Sequence, residues 1–388
     1  MSHIIKNMLE DLYNNGYEQA DIMESICIAL GKYFLNQDIL RNYRSHSELL
    51  SAFEFEIRYH HEPDFSEGIM SVLKCYRDAY NVSPKETLNI FILTLSEASE
   101  KENQMWTVRN NAPQGVGDDI YDSVISYMKH IGDTLEISVK HIIQELYAMI
   151  RIAKKQTVDY EKIRACDFGV AINNVLSCGN FENLLKTKPI GIKLSDWRNI
   201  AYHHGYSIHG NLLTCAYGKP AKQFNITFNE FLTYCHQIIK FGNVFNIARC
   251  IFAFDNIDEL ISVKGKEKTG ILFRKPLLVE QLKISFMSQG FQLDSFIENE
   301  KEVTMTLIDL MNDEQINPEE QKSREIHASQ LLYNIWCVFK KSLVQIIYCD
   351  CEGKKIMHIS VDGDICHNVD LGTPISYMAE HVKWMKLV

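Results

Sequence analysis

From Ile120 to Met149 the chain keeps a single apolar stripe: Ile120, Val124, Met128, Ile131, Leu135, Val139, Ile142, Leu146 and Met149. Steps of three and four residues bring these positions to one side of an α-helix and of no other regular structure. At 3.6 residues per turn the stripe runs over about eight turns, so it must be buried in a bundle or along a dimer seam. Gly132 interrupts it, at a cost of about 1 kcal/mol relative to Ala.

The same periodicity marks Ile22, Ile26 and Leu30, then Ile69, Leu73 and Tyr76, then Leu88, Phe91, Ile92 and Leu95, and it predicts a helical N-terminal domain over residues 1–109. Turn formers concentrate in Asn110 to Asp118, which reads as the break before a second helical unit, residues 119–260. Within that unit, helices are expected at Phe168 to Leu176, Phe181 to Leu185, Ser195 to about His204, and Asn229 toward Phe254. Tyr206 to Tyr217 and Gln223 to Phe228 alternate as a β-hairpin around Gly218-Lys219-Pro220.

Beyond the Gly265 to Gly270 turn the period changes. Strands are expected at Phe291 to Ile297, Val303 to Leu310, Val344 to Cys349 and Lys355 to Val361. Helices at Leu277 to Ser288 and Pro318 to Lys340 lie between them, and another begins near Ile375. This predicts a C-terminal α+β domain over 271–388, an antiparallel sheet with helices on one face. The fold class is therefore mainly α: helical N-terminal domain, helical bundle with a β-hairpin, and C-terminal α+β domain.

At 388 residues the chain is long enough for two or three domains. No apolar run approaches the roughly 20 residues of a membrane span, and Met1 to Leu12 is too polar for a signal peptide, so a soluble, cytoplasmic protein is expected. Eleven cysteines, scattered singly and odd in number, argue for reduced thiols. There is no Walker loop, no GxGxxG and no GxSxG, which excludes the commonest nucleotide, dinucleotide and serine-hydrolase chemistries and leaves no cofactor to expect. Cys349, Cys351, His358, Cys366 and His367 supply soft ligands, but no second Cys pair completes a zinc spacing, so no metal is expected.

The segment Leu194-Ser195-Asp196-Trp197-Arg198-Asn199-Ile200-Ala201-Tyr202-His203-His204-Gly205-Tyr206 sets Arg, Asn and His together on one short helix, with Ser195 as its expected N-cap and Gly205 as its stop. Arg198 would then be a cation in the first turn, opposed by the helix dipole, and a bound anion would explain it. Charge points the same way. Residues 151–222 carry eleven Lys and Arg against five Asp and Glu, a local balance of plus 6 on a chain of net minus 10. Such an island suits localised phosphate binding, and equally an ordinary solvated surface.

Metal-free RNA cleavage needs a base for the 2′-hydroxyl, charge on the phosphate, and a proton for the 5′-oxygen. Histidine titrates near neutrality and serves either proton transfer. Arginine binds the developing dianionic phosphorane through a planar fork, and Asn199 adds a neutral amide. On one helix Arg198 and His203 are about 140° apart, so a cleft shared by two copies brings them together more simply.

Arg-Asn, three residues, then His, with the helix, hairpin and helix that follow, resembles the signature of the HEPN superfamily over about residues 119–255. Many members of that superfamily are dimeric, metal-independent endoribonucleases. The resemblance implies catalytic roles for Arg198, His203 and Asn199, with His204 as the alternative histidine. It implies RNA contact by the flanking Lys193, Lys219, Lys222 and Tyr206. It further implies a homodimeric toxin or antiviral effector, leaving a 2′,3′-cyclic phosphate and held quiet by an inhibitor or sensor protein. The alternative is a non-catalytic module that binds RNA or protein through the same surface.

Overall fold

The computed structural model describes residues 2–113, 115, 119–179, 181–264, 273–311 and 316–387, with side chains from residue 8 onward except that of Ser96. Most of Gln114 to Asp118 and the Gly265 to Gly270 turn, both expected as boundaries, lie outside the described residues. Helices dominate, so the chain is mainly α. Among the described residues no helix is long and apolar enough to cross a membrane. All eleven cysteines are free thiols.

The chain forms two compact units, one of residues 29–42 and 55–273, the other of 1–28, 43–54 and 274–388. This grouping cuts across the expected division into 1–109, 119–260 and 271–388. Residues 1–109 are not a domain of their own, because the helix Pro63–Val82 packs on Lys140–Ala153 and Phe228–Asp255 of the bundle. Its stripe residues Ile69, Leu73 and Tyr76 are buried there. Periodicity identifies which face of a helix is buried, but not against what.

In the helical unit, the stripe helix is continuous from Ile120 to Ala153 but changes character in the middle. Ile120–Asp133 and Lys140–Ala153 are α-helical, and Thr134–Val139 between them is a π-helix. Before the π segment mainly one side is buried; after it nearly every residue is, including the polar His141, Gln144 and Glu145. Glu145 is fully buried and fully engaged. Tyr76 Oη donates to Glu145 Oε1 at 2.6 Å, Arg249 Nε reaches both of its oxygens at 3.0 and 3.1 Å, and Thr94 donates to Oε2.

The 28-residue helix Phe228–Asp255 starts with a capping box in which Thr227 and Glu230 satisfy each other's backbone N–H. Ahead of it lies a three-stranded antiparallel sheet, Tyr206–His209, Leu212–Tyr217 and Lys222–Thr227, where a two-stranded hairpin was expected. The extra turn is Gly210-Asn211, with Gly210 at φ +61°, a pair that closes tight hairpins.

In the α+β unit the sheet order is Lys383–Lys386, Lys355–Asp362, Leu343–Cys349, Glu302–Asp309, Phe291–Glu298. The expected antiparallel sheet is mixed, because Glu302–Asp309 and Leu343–Cys349 run parallel. The helix Pro318–Phe339 connects them and carries the chain back, as a parallel pair requires. Met305, Leu307, Val344, Ile346 and Ile359 form one core with Leu331, Leu332 and Ile335 of that helix.

Candidate functional site

The motif helix spans Leu194–Tyr202, with Lys193 at the N-cap position. Ser195 is not the cap; it is buried inside the first turn, and no side chain caps this end. Arg198 consequently sits in the second turn, clear of the free N–H groups at the helix start. The helix dipole therefore gives Arg198 no reason to hold an anion.

Trp197 anchors the helix. It is fully buried, donates from Nε1 to Thr187 Oγ1 at 2.8 Å, and packs on Phe224, Phe231 and Tyr234 with centroids 5.6–6.4 Å apart. Opposite, the stripe helix comes close at Gly132, where an added Cβ would meet Ala201 Cβ at 3.1 Å and the Tyr202 ring at 3.7 Å. The apparent flaw in the stripe is thus what admits the motif helix.

The helix ends at Tyr202 rather than near His204, in a Schellman closure. His203 is the C-cap, His204 takes the left-handed conformation at φ +50°, and Gly205 N donates to Ile200 O at 2.9 Å. A non-glycine residue in that region costs roughly 1–2 kcal/mol. Gly205 serves another need, since its Cβ would lie 2.6 Å from Ala216 O of the neighbouring strand.

Arg198 is held by its own chain. Its Nε donates to Glu136 Oε2 at 2.8 Å, Nη2 lies 2.8 Å from the same oxygen, and Nη1 donates to Asn199 Oδ1 at 3.1 Å. The Tyr202 ring centroid is 5.4 Å from Cζ, and Tyr202 Oη donates to Asp133 Oδ1 at 2.9 Å. Glu136 Oε1 accepts from Lys140 Nζ at 2.7 Å, and Lys129 pairs with Asp133 at 2.6 Å. Partial burial alone would raise the Glu136 carboxyl, but Lys140 and Arg198 outweigh it and hold it below the usual carboxylate range. Arg198 and Glu136 each keep 28% of their side-chain exposure, so the pair is accessible at the surface.

Glu136, Lys140, Tyr202 and Asp133 were not singled out from sequence. Glu136 and Lys140 are an ordinary i, i+4 pair on the polar side of the stripe, and only the fold brings them to Arg198.

His203 and His204 are both exposed, and the His204 ring lies tilted 6.2 Å from Tyr206, itself half-buried. Burial raises the Tyr206 phenol, with smaller contributions from Tyr121 and Cys215. Asn199 is half-buried beside Arg198, and its carbonyl accepts from His203 N at 3.0 Å. Lys219 and Lys222 are exposed at the last strand turn, whereas Lys193 donates to Asn173 Oδ1 at 2.7 Å. Burial raises the Asp196 carboxyl against the opposing charges of Lys193 and Lys222.

Much of the basic island is neutralised within the fold. Lys162, Arg164, Lys186, Lys188 and Arg198 pair with Asp159, Glu97, Glu182, Asp64 and Glu136. Three of those acids lie outside the basic window, so the excess of plus 6 overstates the exposed positive charge. Among the described residues no three His, Cys, Asp or Glu side chains gather as metal ligands. His358 instead pairs with Gln345 at 2.8 Å, and His367 lies 6.1 Å from Trp336. A cavity of about 670 Å³ in the helical unit is lined by Ser83, Lys85, Glu86, Ile90, Leu93 and Tyr160 among others, none of them from the motif.

No family of known proteins matches this chain, and neither does any curated protein or any solved structure.

Proposed function

We propose that this chain is a metal-independent endoribonuclease of HEPN type that cleaves RNA as a homodimer, in the role of a toxin or antiviral effector under an inhibitor or sensor protein. One observation carries the reading: a partly exposed, pre-oriented guanidinium at Arg198 lies beside the Asn199 amide on a rigidly anchored helix that ends in the exposed His203. In this reading Arg198 stabilises the phosphorane, Asn199 fixes the guanidinium, and His203 moves the protons, with His204 as the alternative. Lys193, Lys219, Lys222 and Tyr206 contact the RNA strand. Tyr121, Ile125 and Tyr202 are exposed apolar side chains on the two helices that build the site, and they suit the docking of a second copy. That copy would bring its own His203 toward Arg198, which one helix does not do easily.

The test is incubation of the full chain with RNA in EDTA. Products ending in a 2′,3′-cyclic phosphate and a 5′-hydroxyl are expected, with loss of at least about 100-fold in rate for Arg198→Ala and for His203→Ala. Cleavage that stops with chelation and resumes with magnesium would reject the mechanism, and full activity in both variants would move the site elsewhere. The Glu136 pair favours a second reading, a non-catalytic module, because a neutralised Arg198 attracts a phosphate less strongly. RNA binding without cleavage, weakened by Lys219→Ala and Lys222→Ala, would select that reading.

A further inference from the structure

A guanidinium has five N–H donors in a fixed plane. Two of those of Arg198 are donated within the fold, Nε–H to Glu136 Oε2 and one Nη1–H to Asn199 Oδ1, and Nη2 is in ion-pair contact with the same Glu136 oxygen. Among the described residues at least one N–H of each terminal nitrogen has no hydrogen-bond partner, and a pair of such donors can match two oxygens of a phosphate. The side chain that leaves those donors available is Glu136, and it is itself fixed on its other oxygen by Lys140. It stands in Thr134–Val139, a six-residue π-helical stretch in an otherwise α-helical rod. Such stretches are rare and recur at functional sites. This one also leaves Thr134 Oγ1 buried without a hydrogen-bond partner, a local cost that a plain core helix would have no reason to keep.

We propose that Glu136 is the positioning residue of this site, holding the Nε edge of Arg198 so that the two terminal N–H groups face a scissile phosphate. The role rests on the ribonuclease reading above and assigns the π-helical segment a purpose within it. Glu136 touches no substrate and acts through Arg198 alone.

The experiment compares full-length wild type, Glu136→Ala and Glu136→Gln, with Arg198→Lys as a reference. On RNA, Glu136→Ala is expected to lower kcat by about 10- to 100-fold with KM within about threefold, since the lost orientation matters most in the transition state. Glu136→Gln keeps an oxygen that accepts from Nε–H and should restore most of kcat, while the thermal midpoints of both variants stay near wild type. A second readout needs no activity. The arginine Nε–H resonance that disappears in Arg198→Lys should exchange slowly with water in wild type and Glu136→Gln, and rapidly in Glu136→Ala. Cleavage by Glu136→Ala at or above the wild-type rate would overturn the role and make Glu136 a restraint instead. Unchanged exchange in Glu136→Ala would overturn the clamp itself. A protected resonance in a wild-type protein that cleaves no RNA would remove the proposed function and reduce Glu136 to a structural partner.

Discussion

Two arginine–glutamate pairs in the helical unit make opposite use of the same chemistry. Arg249 and Glu145 are buried, with side-chain exposures of 14% and 0%, and Tyr76 and Thr94 take up the remaining capacity of the carboxylate. The Arg249 guanidinium also lies over the Phe91 ring, Cζ 4.4 Å from its centroid. Arg198 and Glu136 sit nearer the surface, each with 28% side-chain exposure, and among the described residues each terminal guanidinium nitrogen keeps at least one N–H without a hydrogen-bond partner. A buried pair whose carboxylate is taken up by Tyr76, Thr94 and Arg249 holds a fold together, and a pair at the surface stays within reach of a ligand. Burial of the carboxylate, more than the presence of an ion pair, separates structure from candidate site.

The contrast can be broken most decisively at Arg249. Arg249→Met strands a buried carboxylate and should destabilise the protein by about 3–5 kcal/mol, read by chemical denaturation. A loss below about 1 kcal/mol would mean that the buried pair is no more structural than the surface one.

A second effect comes from His141, which lies near Arg249. Burial, reinforced by the Arg249 and Lys101 charges and only partly offset by its hydrogen bond to Ile137 O, lowers its imidazole to about 3. Above pH 6.5 the ring is neutral in both folded and unfolded chains and contributes no pH dependence. As pH falls below 6.5, the unfolded chain gains a proton that the folded one refuses, so stability drops by about 2 kcal/mol at pH 5 and continues to fall toward pH 3. His141→Gln should flatten the slope of stability between pH 7 and 5. An unchanged slope would show that His141 is not the group responsible.

Smaller again is Gly132→Ala. The gain in helix propensity, about 1 kcal/mol, opposes the cost of forcing a methyl to 3.1 Å from Ala201 Cβ, and we expect a net loss of about 1 kcal/mol. A stabilised variant would show that the two helices separate freely. Smallest is Arg198→Ala, which should change stability by less than about 1 kcal/mol, as exposed pairs do. A loss as large as that of Arg249→Met would make Arg198 a fold residue and sharply weaken its candidacy as a site.

The sequence made helices and strands legible wherever period and caps agreed. The stripe residues from Val124 to Met149 are all buried, and the helix expected from Asn229 begins at Phe228 behind its Thr227 cap. What it left out depended on distant partners. The strand Lys383–Lys386 is short and exposed at all four residues, so it shows no buried alternation, and only pairing with Lys355–Asp362 defines it. The π segment has no pattern that distinguishes it from the α-helix on either side. At the candidate site, Arg198, Asn199 and His203 could be read from spacing, but Glu136 could not, because 62 residues separate it from Arg198.

The backbone at His204 has one further consequence. Left-handed geometry favours glycine, and asparagine, aspartate and histidine are the side chains that enter it most readily, so an imidazole can stand at φ +50° where most residues would not. Tandem histidines that look redundant on paper therefore stand on unequal footing: the first lies on ordinary backbone at φ −97°, and the second, at φ +50°, is turned away by the left-handed step that ends the helix.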